Sequence, residues 1–202
     1  VITAESTILN PPISYDEQVQ LVAEIREIRR AAPLFQPFAG GLGMSVRITN
    51  AGPWGWTADG LGYRYTDRHP EGQPWPRIPR LFLDVAERYG VDSSRIDCAH
   101  IVVYGPGAKL GKHQDRTEHD RTGDVFTVPL GDPCQWIVWD PTTDTETRAV
   151  LYSGHPVLLA GPSRAAFHSV RRVLAPDPMF HPSPLDRPGR IALSLRQGAG
   201  PR

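Results

Sequence analysis

Two different spacings of apolar residues divide this chain. In SYDEQVQLVAEIREIRRAAP, Val22, Ile25 and Ile28 recur at helical spacing. Ser14 is placed to cap that helix, Glu17 to close a capping box and Pro33 to stop it. PRLFLDVAERYG predicts a second helix ending at Gly90. Between the two, a glycine-rich turn leads into MSVRIT, which alternates as a strand does. PWGWTADGLGYRYT then mixes aromatics with glycines in the manner of a hairpin or a mobile cover, and RHPEGQPWPRIP is stiffened by prolines. From Cys98 the spacing changes to two. CAHIVVYG, VFTVPLG, CQWIVWD, TRAVLYSG, PVLLAG, AAFHSVRRV and RIALSLRQ read as strands, with WDPTTDTETR as a hairpin connection and APDPMFHPSPLDRPG as an irregular loop. Short strands separated by Gly, Pro and Asp turns predict a mainly β chain with flanking helices. The expected fold is a two-sheet jelly roll, or double-stranded β-helix, with the helices backing one sheet.

The same alternation places the candidate chemistry. His113 and Asp115 of KHQD are two apart, so both point one way in an extended segment. In RAAFHSVRRV, His168 shares a face with Ala166 and Val170. In RIALSLR, Arg190, Ala192, Ser194 and Arg196 share one face, and Ile191, Leu193 and Leu195 share the other. Two imidazoles and a carboxylate can hold a ferrous ion on one side and leave three positions open. A pair of guanidiniums with small residues between them offers room for a dicarboxylate. A solvated edge strand with two surface arginines fits the same alternation.

Composition narrows the class. The chain has 202 residues, 40% of them hydrophobic and 22% charged, which suits one globular domain with a sizeable core. Lys plus Arg and Asp plus Glu are both 22, so no strongly basic surface advertises nucleic acid. Lys109, Lys112, Arg116 and Arg121 nevertheless cluster around KHQD, with Arg171 and Arg172 downstream. Cys98 and Cys134 stand outside any C-x-x-C pair, as expected of buried thiols in a reduced, cytoplasmic protein. VITAEST lacks the blocks of a secretory signal, and no apolar run has the length of a membrane helix.

The run IVVYGPGAKLGKHQD, VPLG, SRAAFHSV and RIALSLRQG, with MSVRITNAGPWGWT, GYRY and QPWP upstream, resembles the AlkB family of 2-oxoglutarate/Fe(II) dioxygenases over almost the whole chain. The resemblance implies oxidative dealkylation of N-alkylated bases in DNA or RNA. It implies Fe(II) as cofactor, with 2-oxoglutarate and O2 as co-substrates. The metal ligands would be His113, Asp115 and His168, which also form the catalytic set. Tyr104, Arg190 and Arg196 would contact 2-oxoglutarate, Arg190 at its distal carboxylate, with Thr127 and Ser194 lining the pocket. Trp56 would stack on the flipped base, Tyr63 would meet the nucleic-acid backbone, and Thr117 or its neighbour Glu118 would meet the base's exocyclic amine. Residues 1–95 would carry the helices and a nucleotide-recognition lid packed on a catalytic core of residues 96–202, all in one structural domain. The partner would be alkylated single-stranded DNA or RNA, engaged by a monomer with no membrane attachment. Val102 and Ala192 stand where the family commonly has asparagines, so two amide contacts to the co-substrate are lost.

Two other readings remain open at this level. One keeps the iron chemistry and changes the substrate to a small molecule or a protein side chain. The other is a non-enzymatic jelly-roll binding module with structural histidines. Trp56 can also be read as a packing tryptophan. His69, His100, His119, His155 and His181 read as surface or internally satisfied histidines, with His119 the nearest extra contact to the triad.

Overall fold

The computed structural model describes residues 1–175 and 182–200, so His181 and part of the proline-rich connection lie outside the described residues. Helix α1 spans Tyr15–Ala31, and Ser14 caps it by accepting from the Glu17 backbone N–H at 3.4 Å. The expected capping box is only half used. The Glu17 carboxylate instead meets Arg88 at 2.6 Å, tying α1 to helix α2, Arg80–Arg88. Gly90 follows α2 with a φ of 79°, the left-handed conformation that glycine adopts most readily.

The strands run in chain order as β1 Phe38–Ala39, β2 Leu42–Gly43, β3 Val46–Ala51, β4 Gly55–Asp59, β5 Gly62–Thr66, β6 Ile96–Tyr104, β7 Leu110–His113, β8 Val125–Gly131, β9 Cys134–Asp140, β10 Thr145–Leu151, β11 Val157–Leu159, β12 Phe167–Val173 and β13 Arg190–Gln197. Two antiparallel sheets face each other, ordered β11-β8-β13-β6-β3 and β10-β9-β12-β7, and two small hairpins, β1-β2 and β4-β5, stand beside them. This is the expected jelly roll. Strand β3 joins the larger sheet through β6, with Val46 opposite Tyr104. The glycine-rich turn before it is itself the β1-β2 hairpin, and β7, too short to show a clear alternation, carries His113.

Alternation along β13 divides the interior into two cores. Ile191, Leu193 and Leu195 pack with Ile25 and Ile28 of α1 and Phe82 and Val85 of α2 on the outer side of the larger sheet. Val102, Tyr104 and Ala192 face inward, with Trp136, Val138 and Val170 from the smaller sheet. A β-bulge between Val170 and Arg172 ends the inward pattern of β12 and leaves Arg171 and Arg172 exposed. Gly131 sits opposite Arg190 with a φ of 96°, and a Cβ there would lie 2.6 Å from the Gly189 carbonyl. Glycine therefore lets β13 begin where Arg190 turns inward.

Phe82 has no exposed surface and belongs to the helix-backed core, away from the facing sheets. Phe82→Ala should cost about 3–5 kcal/mol of stability. Chemical denaturation should show that loss while Fe(II) binding by the surviving folded protein stays unchanged.

Candidate metal and co-substrate site

His113, Asp115 and His168 offer ligand atoms that all lie within 4.8 Å of one another. The sheet builds this convergence. His168 of β12 pairs directly with His113 of β7, and their ring centroids are 4.2 Å apart. Gln114, between the other two, donates to the Ala165 carbonyl at 2.5 Å, which anchors the chain as it leaves β7. His113 Nδ1 lies 2.8 Å from the Gly111 carbonyl and His168 Nδ1 lies 3.3 Å from the Ala166 carbonyl. A carbonyl only accepts, so both rings carry their proton on Nδ1 and keep an Nε2 lone pair. Those Nε2 atoms sit 3.9 and 3.8 Å from the Asp115 carboxylate. Burial lowers the His168 pKa to about 4, with the nearby His113 adding to the effect, so the ring is neutral near pH 7. Burial alone would raise the Asp115 pKa, but Arg196 and the two imidazoles hold it well below the carboxylate range. Two imidazoles and one ionised carboxylate, aimed together, fit a divalent first-row metal.

A cavity of about 720 Å3 opens between the sheets and reaches from the triad to Arg190 and Arg196. Arg190 is 1% exposed, and its guanidinium donates to the carbonyls of Asp132 at 3.0 Å and Leu151 at 3.4 Å. Its Nε has no hydrogen-bond partner, and among the described residues no carboxylate pairs with it. A buried positive charge with unspent donors needs an anion, and a carboxylate of 2-oxoglutarate is one. Tyr104 is its cross-strand neighbour, and the Thr127 and Ser194 hydroxyls hydrogen-bond each other at 2.7 Å nearby. Arg196 is differently employed. It pairs with Asp115 at 3.1 Å and with Glu118, and these carboxylates outweigh its burial to raise its pKa well above the usual value. Val102 and Ala192 lie directly opposite each other on β6 and β13, so the two positions without amides form one apolar patch in the cavity wall.

Over the mouth stands the β4-β5 hairpin. Trp56 stacks on Tyr63 with centroids 5.6 Å apart and 21° between the planes, and both rings line the cavity. Asn50 clamps Trp56, accepting from its N–H at 3.1 Å and donating to its carbonyl at 3.0 Å. The indole N–H donates to Thr117 at 3.2 Å. Lys112, Arg116 and Arg121 reach the cavity, whereas Lys109 does not.

Two placements depart from the sequence expectations. Glu118 does not face the cavity, because Arg196, Arg164 and Tyr65 enclose it. His119 is exposed and away from the cavity. The extra histidine there is His100, which is 6% exposed and lies 5.3 Å from the Trp56 ring. The inward phase of β6 shared with Val102 and Tyr104 was the available signal for it. Arg164 and Tyr65 contact the Glu118 carboxylate behind the cavity and do not line it. His69 is satisfied internally, 2.9 Å from the Pro33 carbonyl and 3.1 Å from the Glu71 N–H.

His100 gives a pH prediction. The Asn50 carbonyl oxygen lies 2.8 Å from its Nδ1, and burial, then Arg196, lowers its pKa from 6.5 to about 3. The unfolded chain therefore takes up this proton first, and stability falls as the pH drops from about 6.5 toward 3. Urea unfolding at several pH values should show a shallower fall for His100→Gln than for the parent.

The chain matches the sequence profile of the 2OG-Fe(II) oxygenase superfamily over residues 6–196. It is 40% identical over 159 residues to the alpha-ketoglutarate-dependent dioxygenase AlkB homolog of Caulobacter vibrioides, covering 78% of this chain and 70% of that one. It is 32% identical over 191 residues to the alpha-ketoglutarate-dependent dioxygenase AlkB of Escherichia coli, covering 91% and 86%. Its fold is similar to that of OsALKBH1, with a TM-score of 0.77 at 24% identity over 94% of this chain and 95% of that one. With a profile spanning both sheets and a relative at this identity and coverage, the chain belongs to the AlkB family of 2-oxoglutarate- and Fe(II)-dependent dioxygenases.

Proposed function

We propose that this dioxygenase removes alkyl groups from N-alkylated bases of DNA or RNA, as a monomer in the cytoplasm acting on single-stranded substrate in alkylation repair. The observation that carries the reading is one continuous cavity. It joins the His113, Asp115 and His168 donors, the unpaired Arg190 guanidinium and the stacked Trp56–Tyr63 hairpin. No described helix is long and apolar enough to cross a membrane. Cys98 and Cys134 are free and buried, in keeping with a reducing compartment. Residues 1–95 would supply the lid and the backing helices, and residues 96–202 the catalytic core, of one domain.

In this reading His113, Asp115 and His168 hold the metal, with the Nδ1 hydrogen bonds of the two histidines fixing ring orientation. Bound Fe(II) with O2 and 2-oxoglutarate supplies hydroxylation of the N-alkyl carbon, with succinate and CO2 as co-products, and the hydroxyalkyl group then leaves as an aldehyde. Arg190 takes the distal carboxylate, with Tyr104 beside it and Thr127 and Ser194 closing the pocket. The apolar patch of Val102 and Ala192 keeps water from the co-substrate while offering it no hydrogen bond. A base must leave its stack to reach the metal, and Trp56 and Tyr63 provide the flat surface that receives it. Thr117 lies at the edge of that surface, already bonded to the indole. Lys112, Arg116 and Arg121 put positive charge at the mouth for phosphates despite the neutral total.

Succinate and formaldehyde release should be measured with Fe(II) and 2-oxoglutarate on methylated DNA, methylated RNA, free methylated nucleosides and unmodified controls. Preference for an oligonucleotide supports the proposal, and turnover confined to nucleosides or other small molecules overturns the nucleic-acid assignment. His113→Ala and Asp115→Ala should abolish turnover and leave a folded protein by circular dichroism. Arg190→Ala should weaken 2-oxoglutarate binding by about 2–5 kcal/mol, and Arg190→Lys should restore only part of it. Trp56→Ala should cut oligonucleotide turnover about 5- to 150-fold, the equivalent of a lost base stack, while substrate-independent 2-oxoglutarate decay continues. A mutant that instead loses both reactions and its thermal stability together would make Trp56 a packing residue.

A further inference from the structure

Glu118 is enclosed in the protein yet absent from the cavity wall. Its side chain has no exposed surface, and its contacts tie it to other parts of the site. Oε1 accepts from the Tyr65 hydroxyl at 2.8 Å and from Arg196 Nη1. Oε2 accepts from Arg164 Nη2 at 3.1 Å. Arg196 Nη1 also meets the Asp115 carboxylate at 3.1 Å. Arg164 donates to the Asp115 carbonyl at 2.7 Å and to the Gly123 carbonyl at 2.6 Å. Four separate stretches therefore meet at this carboxylate: the β4-β5 hairpin, the segment from Asp115 to Gly123, the 3-10 turn Gly161–Ala165 and strand β13.

Charge explains why the arrangement holds. Arg164 and Arg196 bring two positive charges into the interior, and Asp115 and Glu118 bring two negative ones. Removing the Glu118 charge would leave a guanidinium in excess beside the metal ligands. Arg196 would then have only Asp115 to fix its direction, drawing on the carboxylate that faces the metal. The Tyr65 hydroxyl is different, because it is neutral and its loss strands no charge. It is also the only hydrogen bond from the hairpin to this charged group among the described residues.

We propose that Glu118 and Tyr65 are positioning residues that aim Arg196 and hold Asp115 in place, so that the substrate hairpin is a structural part of the co-substrate and metal site. This rests on the reading above, in which Asp115 holds iron and the hairpin serves the base, and on the family resemblance that puts Arg196 at 2-oxoglutarate. A substrate that stills the hairpin then steadies Arg196. Co-substrate that steadies Arg196 stills the hairpin by the same factor, since coupling between two binding events is reciprocal.

The test is an anaerobic calorimetric titration of the Fe(II) protein with 2-oxoglutarate, with and without a methylated single-stranded oligonucleotide. Tyr65→Phe should bind 2-oxoglutarate roughly 3- to 10-fold more weakly, the scale of one hydrogen bond to a charged group acting indirectly. Its KM for 2-oxoglutarate should rise in step while kcat at saturation stays close to that of the parent. Oligonucleotide should tighten 2-oxoglutarate binding in the parent and do so less in Tyr65→Phe. Glu118→Gln should lose more than Tyr65→Phe, and Glu118→Asp should recover part of the loss. Arg64→Ala, which breaks the exposed pair with Asp59 on the same hairpin, should leave 2-oxoglutarate affinity unchanged. A well-folded Tyr65→Phe protein with parental affinity overturns the proposal, and so does an equal loss in Arg64→Ala. An oligonucleotide that binds neither protein overturns the nucleic-acid reading and the coupling, while the titration without it still decides whether Tyr65 positions Arg196.

Discussion

A guanidinium removed from water needs a negative partner, and β13 buries two of them six residues apart. The strand places Arg190 and Arg196 at 1% and 8% exposure, on the inward side of a sheet whose other side is packed by helices. The protein neutralises Arg196 itself, with Asp115 and Glu118. Among the described residues it gives Arg190 only backbone carbonyls. This asymmetry organises the cavity: one end is closed by internal ion pairs and the other lacks an anion. The chemistry lies between them because His113 and His168 face each other across two neighbouring strands.

The same electrostatics settle protonation around the metal ligands. Arg196 keeps Asp115 ionised although it is buried, and burial keeps His168 neutral. Backbone carbonyls, set by strand geometry, then decide which ring nitrogen of each histidine is free. None of these groups is tuned alone. Loss of charge at any of them changes what the others must neutralise, so the metal ligands, the co-substrate arginine and the carboxylate behind it form one electrostatic unit.

The hairpin shows how a fold joins an adaptable element to a rigid one. Its tip carries glycines and exposed Leu61, and its base is held by Asn50 on β3 and by Trp75, whose indole donates to the Thr66 carbonyl at 2.9 Å. Gly55 is required at that base, because a Cβ would lie 2.3 Å from the Trp75 ring. The aromatic platform is therefore positioned by β3, an edge strand of the larger sheet, and not by contacts within the hairpin alone.

Much of this was legible in the chain because alternation is a local property. The two-residue period in RIALSLR assigned Arg190, Ser194 and Arg196 to one face and the leucines to the other. The spacing of His113 and Asp115 implied a shared direction, and the helical stripe of α1 implied a buried face. Those features survive folding because each depends on residues a few positions apart. The pairing of His113 with His168, the clamp of Asn50 on Trp56 and the enclosure of Glu118 join residues 55, 6 and at least 46 positions apart, with no local signature of the contact. Thr117 and Glu118 are adjacent in sequence, yet one reaches the cavity and the other is sealed behind it by Tyr65, Arg164 and Arg196. The sequence by itself determined the strands, their inward faces and the set of groups able to hold iron and a dicarboxylate. Only the tertiary structure decided which of the buried charges would neutralise one another and which would be left for a ligand, because that depends on distances between strands that no local period encodes.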